Sequence, residues 1–256
     1  RPRCGRDTRA KMARESRPKG EVSDLKQKLA AVIAQGTSGN AAHKGDAKNA
    51  AHGAANNKDP ATIKRNLFKN ILHYMTINVD MSSLFTQMII AATTTSAQDL
   101  VLKKMLYLYI CTYAQQKPDL TLLAINTLTK DCGDSDPTIR GLALRSLCSL
   151  RVPNLVEYLL TPLKNGIGDR DAYVRRTAVL GVLKVLRLDP NSVDELGLEE
   201  RLKDMMLNDP DAQVAANCLS VLRQMLKSRM GELVTKPTVY SLLNRLKEFS
   251  EWSQCL

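Results

Sequence analysis

Three copies of one short phrase limit what this chain of 256 residues can fold into. Asp134-Ser-Asp136-Pro-Thr-Ile139-Arg140-Gly-Leu-Ala143 lines up with Asp169-Arg-Asp171-Ala-Tyr-Val174-Arg175-Arg-Thr-Ala178. A third copy reads Asp209-Pro-Asp211-Ala-Gln-Val214-Ala-Ala-Asn-Cys218. The copies start 35 and 40 residues apart, the length of a two-helix unit. Read physically, the phrase is the turn into the second helix of each pair. Asp134, Asp136, Asp169, Asp171, Asp209 and Asp211 accept orphan N–H groups and face the positive helix end. The β-branched residue, and the small residue four positions later, pack against the partner helix. Arg140 and Arg175 fall at matching places, from which each can reach an Asp of the neighbouring repeat. Ala215 stands at that place in the third copy, so a ladder of such pairs should break there.

Composition supports helices throughout. Aromatics make up only 4 % of the chain, whereas Leu, Ala and Met, which lose little side-chain freedom in a helix, are plentiful. β-branched residues do not alternate as strands require. The repeated phrase resembles the HEAT pattern, and the expected fold is an all-α, HEAT/armadillo-type right-handed α-solenoid. One repeat cannot bury its own apolar face, so stability comes from stacking neighbours. Truncating a core leucine such as Leu142 or Leu147 should cost about 2–5 kcal/mol.

Four segments follow along the chain. Residues 1–19 read as a basic disordered tail, and 20–35 as a first helix with Val22, Leu25, Leu29, Val32 and Ile33 on one face. Residues 36–58, rich in Ala, Asn, Gly, His and Lys, have no large apolar side chain to offset ordering entropy and read as a disordered insertion. Residues 59–256 read as the solenoid. Its helix starts are signalled by Asp59-Pro60, Ser82/Ser83, Ser96 with Asp99 three residues on, and Pro118-Asp119. Later starts lie near Pro137, Pro153, Asp171, Val193, Asp211 and Pro237. A chain that starts at Arg1 and stops after a helical stretch reads as a piece of a longer protein.

Little here suits catalysis. Only three histidines occur, His43 and His52 in the low-complexity stretch and His73 beside Leu72 and Tyr74. There is no phosphate-binding glycine loop and no HExxH. The Asp pairs recur at the repeat period, which favours capping over acid–base work. Tyr107, Tyr109 and Tyr113 read as a packed helix interface, and Cys111, Cys132, Cys148 and Cys218 as buried apolar residues in a reducing compartment. No apolar run reaches the ~18–20 residues that span a bilayer. The net charge of +11 is concentrated: residues 1–20 carry eight basic side chains against Asp7 and Glu15. The reading is therefore a non-enzyme without cofactor or metal, which binds other proteins and is not expected to bind nucleic acid.

The run Leu102-Lys-Lys-Met-Leu-Tyr-Leu-Tyr109, with Tyr113-Ala and Lys117-Pro-Asp-Leu-Thr-Leu-Leu-Ala-Ile-Asn126, is similar to the trunk of β-adaptins, the large β subunits of vesicle-coat adaptor complexes. The likeness extends through Arg151-Val-Pro, Glu157-Tyr-Leu and Tyr173-Val-Arg-Arg176. Arg140-Gly-Leu-Ala-Leu-Arg-Ser-Leu-Cys148 and Arg176-Thr-Ala-Val-Leu-Gly181 resemble the β subunit of the fourth, clathrin-independent complex. Gly20-Glu-Val-Ser-Asp-Leu-Lys26 resembles the family's first trunk helix. The resemblance implies a scaffold that assembles with a second large, a medium and a small subunit. It also implies recruitment by an ARF-type GTPase, with the protein cytoplasmic and peripheral on trans-Golgi network and coated-vesicle membranes. The positions it implies for GTPase contact are Leu122 and Ile125, on the helix after Pro118-Asp119. Another HEAT scaffold, a nuclear transport receptor or a phosphatase scaffold, is the alternative.

Overall fold

The computed structural model describes residues 18–38, 60–93, 99–150, 152, 155–191, 197–227 and 229–255. Among them are thirteen α-helices, three short 3-10 turns and no strand. The chain divides between Gln116 and Lys117 into two compact units.

The first unit holds α1 (Pro18–Ser38), α2 (Pro60–Thr76), α3 (Phe85–Thr93) and α4 (Leu100–Tyr113). α1 packs on α2, α3 on α4, and α2 on α4. Leu25 and Leu29, Leu67 and Ile71, Phe85 and Met88, Leu102 and Leu106 recur at helical spacing and are buried between them. α1 continues through residues 36–38, which composition had assigned to the insertion. The preceding Ala- and Gln-containing run favours helix, and a single glycine costs only about 1 kcal/mol there. The rest of that insertion and nearly all of the basic tail lie outside the described residues. α4 starts later than its sequence signal: Asp99 is itself the N-cap and accepts the Leu102 N–H at 3.1 Å, because its carboxylate meets an orphan donor directly.

Two tyrosines brace this unit. Tyr109 O–H donates to the Met81 carbonyl at 2.5 Å, and the Met81 N–H donates to the Tyr113 hydroxyl at 3.1 Å. Both backbone groups of a fully buried residue are thereby satisfied. The two rings sit 4.9 Å apart. Tyr107, Tyr109 and Tyr113 are all buried, as an interface reading requires.

The second unit holds α5 (Pro118–Asp131), α6 (Pro137–Leu147), α7 (Glu157–Ile167), α8 (Ala172–Leu188), α9 (Leu198–Asn208) and α10 (Ala212–Met225). The short α11 (Met230–Leu233), α12 (Lys236–Asn244) and α13 (Glu251–Gln254) follow. α5 pairs with α6, α7 with α8 and α9 with α10, while α6, α8 and α10 lie side by side. This is the arrangement of a HEAT-like α-solenoid. Ile139, Val174 and Val214 are buried, and Ala143, Ala178 and Cys218 have no exposed surface. Glycines allow close approach. A Cβ at Gly166 would lie 2.5 Å from Leu144 Cδ2, and one at Gly181 would lie 2.9 Å from both Cys148 Sγ and Leu163 Cδ1.

One expectation shifts. Leu147 is fully buried, but Leu142 is only half-buried, on the outward side of α6. α7 begins at Glu157; Pro153, near which a start was expected, lies outside the described residues. α9 begins at Leu198 behind Gly197, whose φ of +60° is a left-handed conformation suited to glycine; Val193 lies outside the described residues.

Candidate functional site

The repeated turns build one polar edge along the second unit. Asp136, Asp171 and Asp211 are the N-caps of α6, α8 and α10 and accept the N–H groups of Thr138, Tyr173 and Val214 at 2.8, 2.8 and 2.9 Å. Two residues earlier, Asp134, Asp169 and Asp209 accept the N–H groups of Asp136, Asp171 and Asp211 at 2.9, 2.8 and 2.8 Å. Each turn is thus closed twice by carboxylates.

The arginines join turn to turn. Arg140 forks onto Asp169 through Nε and Nη2 at 2.9 and 2.8 Å. Its Nη1 donates to the carbonyls of Asp134 and Ser135 at 3.0 and 2.9 Å. Arg175 repeats this one turn on, reaching Asp209 at 2.8 and 3.0 Å and the carbonyls of Asp169 and Arg170 at 3.0 Å each. Such planar, bidentate pairs fix direction as well as distance. Ala215 is buried where the next arginine would stand, and that line of rungs stops.

Two further rungs were not read from the sequence. Arg176 forks onto Asp211, with Nε at 2.9 Å from Oδ1 and Nη2 on Oδ2. In the first unit, Arg65 Nε donates to Asp99 at 2.9 Å. These pairs are 35 and 34 residues apart, so the repeat period was the signal that could have found them. Gly141 occupies the place of Arg176 in the preceding repeat, and the Tyr173 ring covers it, 2.3 Å from where a Cβ would be.

The electrostatics are those of a clamp. Burial pushes the Asp169 carboxyl up, but Arg140 and the Asp171 N–H outweigh it and hold the group below its usual range. Asp99 behaves likewise, through Arg65 and the Leu102 N–H. Arg176 is the main cause of the lowered Asp211. A carboxylate so held is a poor proton carrier at neutral pH. Burial raises Cys132, Cys148 and Cys218 to about 12, which keeps them as protonated thiols. His73 is exposed, its ring 6.1 Å from that of Tyr74. No helix among the described residues is long and apolar enough to cross a membrane.

On α5 the two candidate contact positions separate. Leu122 is 38 % exposed, whereas Ile125 is 1 % exposed and lies inside with Ala124 and Leu128. Leu123, which could have filled the core, is 54 % exposed instead. The apolar surface that α5 offers is therefore Leu122 with Leu123. Pro118 opens this helix at its first turn and Asp119 faces its positive end.

Comparison with known proteins agrees with this geometry. The adaptin N-terminal region family matches residues 44–256. Beta-adaptin-like protein A of Arabidopsis thaliana is 52 % identical over 203 residues, covering 75 % of this chain and 24 % of its own length. The AP-4 complex subunit beta-1 of Mus musculus is 46 % identical over 190 residues, 74 % of this chain and 25 % of its own. The AP-1 complex subunit beta-1 of Homo sapiens is 35 % identical over 201 residues, 77 % of this chain and 21 % of its own. The chain spans about a quarter of the length of the curated relatives it matches. An adaptin N-terminal match over most of the chain, joined to greater identity with an AP-4 than with an AP-1 β subunit, places the chain in the adaptin family, among the β-adaptins.

Proposed function

We propose that the chain is part of the scaffold subunit of a vesicle-coat adaptor complex, assembled with a second large, a medium and a small subunit. The observation that carries this is the adaptin match over residues 44–256, laid on a solenoid whose polar residues are spent on holding turns together. The AP-4 and AP-1 β relatives are named as subunits of complexes. The protein works on the cytoplasmic face of trans-Golgi network membranes, peripherally, recruited by a GTP-loaded ARF-type GTPase and gathering transmembrane cargo. Leu122 is the residue through which α5 touches the GTPase. Ile125, buried beneath it, holds that helix in place.

The test is affinity purification of the full-length protein from cell extract, with mass spectrometry of what accompanies it. Equal recovery of a second large, a medium and a small adaptor subunit is expected. Recovery of nuclear cargo or a phosphatase in their place refutes the reading in favour of another HEAT scaffold. For the GTPase, Leu122→Asp should abolish binding of the GTP-loaded form while leaving the helical circular dichroism unchanged. Unaltered binding removes Leu122 from the interface.

A further inference from the structure

Between their N-caps and C-caps, α6, α8 and α10 contain no Asp or Glu. Their basic residues divide into two groups. At the N-terminal ends, Arg140, Arg175 and Arg176 are neutralised by Asp169, Asp209 and Asp211. Toward the C-terminal ends, Arg145, Lys184, Arg187 and Arg223, with Lys227 just past α10, are exposed, and among the described residues no carboxylate is in ion-pair contact with Arg145, Lys184, Arg187 or Lys227.

Two of these cations make their hydrogen bonds to neutral groups on neighbouring helices. Lys184 Nζ donates to Ser149 Oγ, just past α6, at 2.7 Å. Arg187 Nη2 donates to Gln224 Oε1 on α10 at 3.4 Å. These bonds tie the row across three adjacent repeats. The negative helix ends offset the mutual repulsion of the cations. Among the described residues, the acid at this end of α8 is Asp189 at its C-cap, which accepts the Asn191 N–H at 3.1 Å. Leu180, 45 % exposed, lies one helical turn before Lys184 and sets an apolar point within the row.

We propose that this row docks an acidic segment of a partner protein, with Asp or Glu side chains meeting Arg145, Lys184, Arg187 and Lys227 and an apolar side chain seated on Leu180. The inference rests on the scaffold reading and names the chemistry of one of its partners. Packed helices lie about 8–10 Å apart, and an extended segment advances about 10 Å in three residues. Carboxylates at every third position therefore match successive helices. A single strand of nucleic acid would seek exposed aromatic faces among the cations. The aromatic residue on α8, Tyr173, lies instead at the opposite, N-terminal end of the helix, with its ring beside Gly141. The apolar point at Leu180 likewise suits a protein side chain better than a phosphate.

The experiment uses the full-length protein and a fluorescein-labelled peptide of repeating Glu-Glu-Leu triplets. Its Gln-Gln-Leu counterpart, phosphatidylcholine vesicles containing phosphatidylserine, and a single-stranded oligonucleotide serve as competing probes. The Glu peptide should bind and the Gln peptide should not. The variant K184E/R187E should weaken binding about tenfold, each exposed pair being modest alone, and K184Q/R187Q should fall between. Both positions are exposed, and circular dichroism checks that the fold is kept. Equal binding of both peptides, or no change in K184E/R187E, overturns the proposal. Loss of vesicle or oligonucleotide binding in the variant, without peptide binding by the parent, assigns the row to lipid or nucleic acid and also overturns it. Recovery of adaptor subunits by the unaltered protein is read separately, so failure of this docking row is distinguishable from failure of the scaffold reading.

Discussion

Replacing Arg140 by Met tests whether the rungs between repeats stabilise the solenoid or merely decorate it. The substitution keeps most of the aliphatic stem and removes four hydrogen bonds: two to Asp169, and two to the carbonyls of Asp134 and Ser135. The side chains of Arg140 and Asp169 are 9 % and 14 % exposed, so water replaces the lost partner poorly. Removing one member of a buried pair costs about 3–5 kcal/mol. Asp169 keeps the Asp171 N–H at 2.8 Å, which places the expected loss at the lower end, about 3 kcal/mol. Arg140→Lys keeps the charge without the fork and should lose about 1–2 kcal/mol. Urea denaturation of the parent, R140M, D169N and the double variant gives the cycle. A coupling of about 1.5 kcal/mol or more is expected, within the range for groups in contact. Because solenoid stability is approximately a sum over repeats and their interfaces, hydrogen exchange should accelerate in α6 to α8 and stay unchanged in α2. A loss below about 1 kcal/mol for R140M, or coupling near zero, would refute the reasoning.

Three other outcomes follow from the same structure. Asp99, Asp169 and Asp211 have folded-state pKa values below their unfolded ones, so their contribution is full above about pH 4 and lost as pH falls through the lowered values; thermal melts from pH 7 down to pH 3 should show Tm falling mainly below pH 4, and less in R140M. Gly166→Ala forces a Cβ to 2.5 Å from Leu144 and should destabilise by about 1–3 kcal/mol, whereas Gly20→Ala, with nothing near its Cβ, should stabilise by about 0.5–1 kcal/mol; urea midpoints decide both. Cys148 and Cys218, buried and raised to about 12, should resist iodoacetamide at pH 8 in the folded protein while exposed Cys255 reacts, as mapped by peptide mass spectrometry.

Much of the polar edge was legible because its residues obey local rules. An Asp before a helix, with another two residues ahead of it, caps by short-range geometry, and a period near the length of two helices shows that the units stack. Rungs between Arg140 and Asp169 followed from matching positions in two copies. Arg65 and Asp99 were missed because the repeat had diverged there: Asp99 is the cap itself, with no acidic residue two places before it.

Helical class, repeat length, the turn chemistry and the end of the Arg140–Arg175 series at Ala215 were determined by the sequence alone, since each depends on neighbours within a turn or on a simple period. The tertiary structure decided which apolar residues face inward. Leu123 and Ile125 are both apolar and two positions apart on one helix, yet the first is 54 % exposed and the second 1 %. The partner helices set that choice, because an amphipathic stripe wider than its contact leaves some apolar residues outside. The row of Arg145, Lys184, Arg187 and Lys227 likewise existed in the sequence only as scattered charges. Stacking successive repeats brought residues 35 and 37 positions apart into hydrogen-bond contact, and that juxtaposition arises only when the repeats pack.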